Sequence, residues 1–70
     1  MKKFSIIIAN RHATSISLEE EFYEVLVTIA KEKGVTINAL VTEIDTQRQN
    51  PNLSSALRVY ILKYLQQKIQ

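Results

Sequence analysis

The chain has no cysteine and only one histidine, one glycine and one proline among its 70 residues. Without cysteine there is no disulfide framework and no thiolate metal site, and a single histidine forms no metal cluster. Long hydrophobic runs are missing too, since no apolar stretch approaches the ~20 residues of a membrane span. Lys2 and Lys3 ahead of Phe4 to Ala9 superficially suggest a secretory leader, but the apolar run is short, and a cytoplasmic protein is the expectation. Catalytic groupings are absent as well: there is no Cys/His or Ser/His/Asp set and no glycine-rich phosphate loop. An enzyme is not expected, and nothing in the residues asks for a cofactor.

What is present is ordinary for a globular protein, 46% apolar and 23% charged residues. The length allows one domain, residues 1–70, and a chain this short rarely gives a lone core more than about 3 to 5 kcal/mol. With disulfides and metals excluded, self-association is the remaining support. The net charge of +2 is mild but unevenly placed. Lys2, Lys3, Arg11 and His12 precede every acidic residue, and Glu19, Glu20, Glu21 and Glu24 then cluster where carboxylates suit the positive end of a helix dipole.

Periodicity divides the chain into a short β segment and three helices. Phe4 to Ala9 is β-branched and reads as a first strand or an irregular arm, with Asn10 and Arg11 able to turn it back onto Thr14 to Leu18. In that second segment Thr14, Ile16 and Leu18 share one face and Ala13, Ser15 and Ser17 the other. The exposed edge of such a strand must be covered, most simply by a second copy of itself. From Leu18 onward Phe22, Val25, Leu26, Ile29 and Ala30 follow helical spacing, and Ser17 with Glu20 has the composition of a capping box. Gly34 marks the end of this helix at Lys33, and Thr36 suits the cap of a second, with Ile37, Leu40, Val41 and Ile44 as its apolar stripe. Thr46 to Asn52 is polar, holds the only proline, Pro51, and reads as a loop. A third helix begins near Leu53 or Ser54, with Leu53, Leu57, Tyr60, Ile61, Tyr64 and Leu65 on one side, and Gln66 to Gln70 is expected to fray.

This order, together with His12 to Glu19, Phe22, Leu26, Ile29-Ala30, Gly34, Asn38-Ala39-Leu40-Val41, Glu43-Ile44-Asp45 and the run Asn52-Leu53-Ser54-Ser55-Ala56-Leu57-Arg58-Val59-Tyr60, resembles the ribbon-helix-helix domain of Arc-type and methionine-repressor-type proteins. It resembles more closely a bacterial ribbon-helix-helix domain family that carries a third C-terminal helix. The resemblance spans roughly residues 12 to 65. It implies a mainly α fold with a short N-terminal β-ribbon, an intertwined homodimer, an added helix at 53–67 and residues 1–11 as an arm or extra strand. It also implies a dimeric DNA-binding transcriptional regulator, a repressor whose antiparallel ribbon enters the major groove of double-stranded DNA.

Carried over by position, Ala13, Ser15 and Ser17 would face the groove, with Arg11 and His12 assisting from the strand's start, and Thr36, Ile37 and Asn38 would hold a phosphate at the second helix's N-terminus; by their charge Lys2, Lys3 and Arg11 suit a basic arm on phosphates. Ile16, Leu18, Phe22, Leu26, Ile29, Leu40, Val41 and Ile44 would form the dimer core. The residues leave alternatives open. Serine and alanine are modest base readers, which also fits a dimeric protein-interaction module or an antitoxin-like protein with a protein partner. Lys2, Lys3 and Arg11 equally suit a solvated terminus, Thr36 to Asn38 ordinary capping, and His12 a surface position. Arg58 suits a structural ion pair with Glu43 or Asp45, and Tyr60 and Tyr64 the core or a dimer interface.

Overall fold

A computed structural model describes residues 1–8, 12–47 and 51–69. Strands β1 (Lys2–Ile8) and β2 (His12–Leu18) form an antiparallel pair, followed by helices α1 (Glu20–Lys33), α2 (Ile37–Gln47) and α3 (Leu53–Ile69). The register sets Phe4 opposite Ile16, Ser5 opposite Ser15, Ile6 opposite Thr14 and Ile7 opposite Ala13. One edge of β2 is therefore covered by β1 of the same chain, not by a second copy. Asn10 and Arg11, read as a possible turn, lie outside the described residues.

Alternation gives the hairpin two unlike faces. Ile6, Ile16 and Leu18 are buried on the inner face, with Phe4 and Ile8 packed beside them. They meet Leu26, Ile29 and Ala30 of α1, Leu40, Val41 and Ile44 of α2, and Ala56, Leu57 and Ile61 of α3 in one cluster. Of the eight residues assigned to a dimer core, all but the partly buried Phe22 are buried within this single chain.

The helix ends follow local chemistry. Gly34 adopts φ 70° and ψ 31°, its N–H reaches the Lys31 carbonyl at 3.1 Å, and the Val35 N–H reaches the Ala30 carbonyl at 3.0 Å, closing α1 as a left-handed glycine cap. Thr36 Oγ1 accepts the Ala39 N–H at 3.0 Å and caps α2. Asn52 Oδ1 accepts the Ser55 N–H at 3.1 Å and does the same for α3.

Three expectations change. Ser17 does not cap α1: it belongs to β2, the helix starts at Glu20, and Glu19 stands at the cap position without a side-chain cap bond. The strand ladder claims Ser17 before the helix can use it, since Ser17 pairs with Lys3 in the register. Thr46 and Gln47 are helical and not part of the loop, the Thr46 hydroxyl donating to the Thr42 carbonyl at 3.0 Å one turn back. Helix α3 runs on through Ile69, where Lys68 is tied to Glu32 of α1 at 2.7 Å.

Helix α3 is apolar on two sides. Ala56, Leu57 and Ile61 face the core, and Leu65, expected in the inner stripe, is exposed at its flank, beside α1, while Val59, Leu62 and Ile69 are exposed away from the core. A surface helix ordinarily presents polar residues there.

Candidate functional site

The outer face of the hairpin carries three cross-strand pairs in order: Lys3 with Ser17, Ser5 with Ser15, and Ile7 with Ala13. No aspartate or glutamate occurs in either strand. All six side chains project from the same side of a two-stranded ribbon, because each lies two residues from the next. Their chemistry changes along the ribbon from cationic through hydroxyl to apolar.

Both outer edges of the ribbon are anchored from the helices. The Asn38 side chain accepts the Ile7 N–H at 2.8 Å and donates to the Ile7 carbonyl at 3.0 Å. Both main-chain groups of Ile7 thus point away from β2, which makes Ile7 and Ala13 a non-hydrogen-bonded pair of the ladder. The same alternation directs the main-chain groups of Ser17 away from β1, and there the Ser54 hydroxyl of α3 donates to the Ser17 carbonyl at 3.2 Å. One edge is therefore fixed to the start of α2 and the other to the start of α3.

The start of α2 lies at the ribbon's flank. Its first turn holds no acidic residue, and with Thr36 serving the Ala39 N–H, the Ile37 and Asn38 N–H groups complete the positive end of the helix. Ile37 is partly buried against the core, and the Asn38 amide is engaged with Ile7. Of the terminal cations, Lys3 stands on the outer face, whereas Lys2 pairs with Leu18 in the register and sets its ammonium 5.3 Å from the Tyr23 ring centroid. His12, Ala13 and Ser15 are exposed and Ser17 half-buried. Arg11 lies outside the described residues. The structure thus brings Lys3, Ala13, Ser15 and Ser17 to one surface, places the α2 start beside it, and adds Ser5 and Ile7, which the sequence reading passed over. Their signal was present in Phe4 to Ile8, whose alternation puts Ser5 and Ile7 on a single face once that segment is taken as a strand.

Two ion pairs tie α3 to α1 and to the residue just before it. Arg58 pairs with Glu19, Nε to Oε1 at 2.9 Å, and not with Glu43 or Asp45, and its guanidinium lies 6.0 Å from the Phe22 ring centroid. That partner lies across 39 residues of sequence, beyond the reach of helix-spacing arguments. The Arg58 hydrogen bond is the main reason the Glu19 carboxyl sits below its ordinary value. Glu32 is lowered likewise by hydrogen bonds from Lys68 and then Tyr64. Glu32, Tyr64 and Lys68 border a shallow groove of about 300 Å³ between α1 and α3, lined also by Glu24, Val25, Thr28 and Leu65. Among the described residues no group of three or more His, Cys, Asp or Glu could hold a metal ion. Among those residues no helix is long and apolar enough to cross a membrane.

An antiparallel ribbon laid over three helices, with a helix start fixed at its flank, defines a small mainly helical protein built to present a β-ribbon. The family profile described as a ribbon-helix-helix domain matches residues 1–65, and the chain belongs to that family. No curated protein and no solved structure matches it.

Proposed function

We propose that this chain is a DNA-binding transcriptional regulator of the ribbon-helix-helix type, with its antiparallel ribbon in the major groove and the α2 start against a flanking phosphate. The observation that carries this reading is the outer ribbon face, free of carboxylates and flanked by a helix N-terminus that Asn38 fixes to the ribbon edge. A two-stranded ribbon fits a major groove ~12 Å wide. Short side chains at positions 5, 13, 15 and 17 let the backbone approach base edges closely. Lys3, and the N–H groups of Ile37 and Asn38, supply phosphate contacts that hold the register.

The regulator acts as a homodimer. What supports this is the outer side of α3, where Val59, Leu62 and Ile69 are exposed on a helix whose other side is already buried. Joining two chains along β2 would instead set four strands side by side, ~14 Å between the outermost at a spacing of ~4.8 Å, more than the groove admits. The Ser54 bond to Ser17 also occupies part of that edge. We therefore assign the dimer contact to α3, leaving each ribbon whole.

Fluorescence anisotropy on duplex DNA at several salt concentrations tests the reading: phosphate contacts predict a linear fall of log K with log salt. Absence of binding even at low salt would contradict it and favour the protein-interaction module. Sedimentation tests the dimer, and a folded species of 8.1 kDa at micromolar concentration would refute it.

A further inference from the structure

On a face otherwise made of three hydroxyls, one ammonium and the methyl of Ala13, Ile7 is the one large apolar side chain. The residue is 55% exposed and stands opposite the exposed Ala13. A single exposed isoleucine is ordinary on a protein surface. This one differs because both of its main-chain groups are held by Asn38, at 2.8 and 3.0 Å, so helix α2 fixes the direction in which the side chain projects. Non-hydrogen-bonded pairs bring their Cα atoms to ~4.5 Å. A branched side chain beside a methyl at that separation makes a small apolar seat at one end of the ribbon face.

We propose that Ile7 and Ala13 together form the contact for a thymine methyl group, so that the ribbon selects A·T base pairs at that position. The inference rests on the DNA-binding reading above. Among the base edges of the major groove, the thymine C5-methyl is the apolar feature, whereas guanine and cytosine present acceptors and an amino donor. Against Ile7 those groups would lose water without gaining a hydrogen bond, so the seat disfavours G·C pairs as well as favouring thymine. Successive cross-strand pairs lie ~7 Å apart, which places Ser5 and Ser15 about two base pairs further along, where hydroxyls accept either base edge.

The test uses an alternating A·T duplex and the same duplex with deoxyuridine in place of thymidine, which removes the methyl group and leaves the hydrogen-bonding edge unchanged. Anisotropy titrations of the intact protein should show weaker binding to the uracil duplex, by about fourfold for each methyl group in contact, the value of burying one such group. Ile7→Ser should bind both duplexes alike, with the salt dependence of the wild type, and Ile7→Val should retain the difference. Circular dichroism checks that each variant is folded, as expected for a side chain outside the core. Equal wild-type affinity for the two duplexes, or a difference that survives in Ile7→Ser, would overturn the thymine contact while leaving DNA binding intact. No binding to either duplex at low salt would overturn the DNA reading itself.

Discussion

The two faces of the hairpin come from the same fourteen-odd residues of alternating sequence, yet they answer to different constraints. Inside, Ile6, Ile16 and Leu18 are buried against all three helices, and each side chain is chosen by volume. Outside, Lys3, Ser5, Ile7, Ala13, Ser15 and Ser17 contribute nothing to the buried core cluster, and under the proposed function their lack of negative charge answers to the DNA the ribbon meets. The lesson is a separation of roles at a spacing of one residue: substitutions inside should change stability, and those outside should change binding.

The largest effect expected is on the inner face. Leu18 is fully buried, and Leu18→Ala should cost about 2 to 5 kcal/mol in urea unfolding, lowering the midpoint without changing which DNA the folded fraction prefers. A cost below about 1 kcal/mol would blur the division between faces. Next come the joints. Asn38→Ala removes two hydrogen bonds to Ile7 and should cost about 1 kcal/mol, with a loss of DNA affinity that exceeds the loss of stability, because the ribbon edge is released from the start of α2. Gly34→Ala should cost about 1 to 2 kcal/mol from backbone strain alone: φ is +70° and nothing lies within 4 Å of the added Cβ. On the outer face, Lys3→Ala should leave unfolding within about 0.5 kcal/mol and reduce the magnitude of the salt slope of DNA binding by about 0.9 for each subunit whose Lys3 meets a phosphate.

The smallest effect is that of pH. Glu19 and Glu32 are held below the ordinary 4.5, so the folded chain binds fewer protons than the unfolded one there. Their contribution is complete above that ordinary value and is lost as pH falls through the lowered folded values. Both carboxyls are exposed, and the loss should be slight. Thermal unfolding of Glu19→Gln should accordingly show a flatter acid limb than wild type.

Signals that act within a few residues were legible in the sequence. The alternation Thr14, Ile16, Leu18 placed β2, Gly34 closed α1, Thr36 capped α2, and Ile37, Leu40, Val41 and Ile44 formed the inner stripe of that helix. What escaped depends on partners far along the chain. Asn38 meets Ile7 across 31 residues, Ser54 meets Ser17 across 37, and Arg58 finds Glu19 across 39. Ser17 shows the conflict directly: its composition suits a helix cap, but pairing with β1 and the bond from Ser54 keep it in the strand. The candidate site was half legible for the same reason. Ala13, Ser15 and Ser17 follow from β2 alone, whereas Ser5 and Ile7 join them only once the hairpin register is known.

We place DNA against the outer ribbon face and against no other surface. Ser15 lies mid-ribbon, exposed and paired with Ser5, so Ser15→Glu places a carboxylate at the centre of that face without touching the core. Measured side by side by anisotropy on one duplex at low salt, wild type should bind and folded Ser15→Glu should bind at least tenfold more weakly, a penalty of about 1.4 kcal/mol from facing a carboxylate toward phosphate and base acceptors. Equal affinity of the two proteins would contradict the claim.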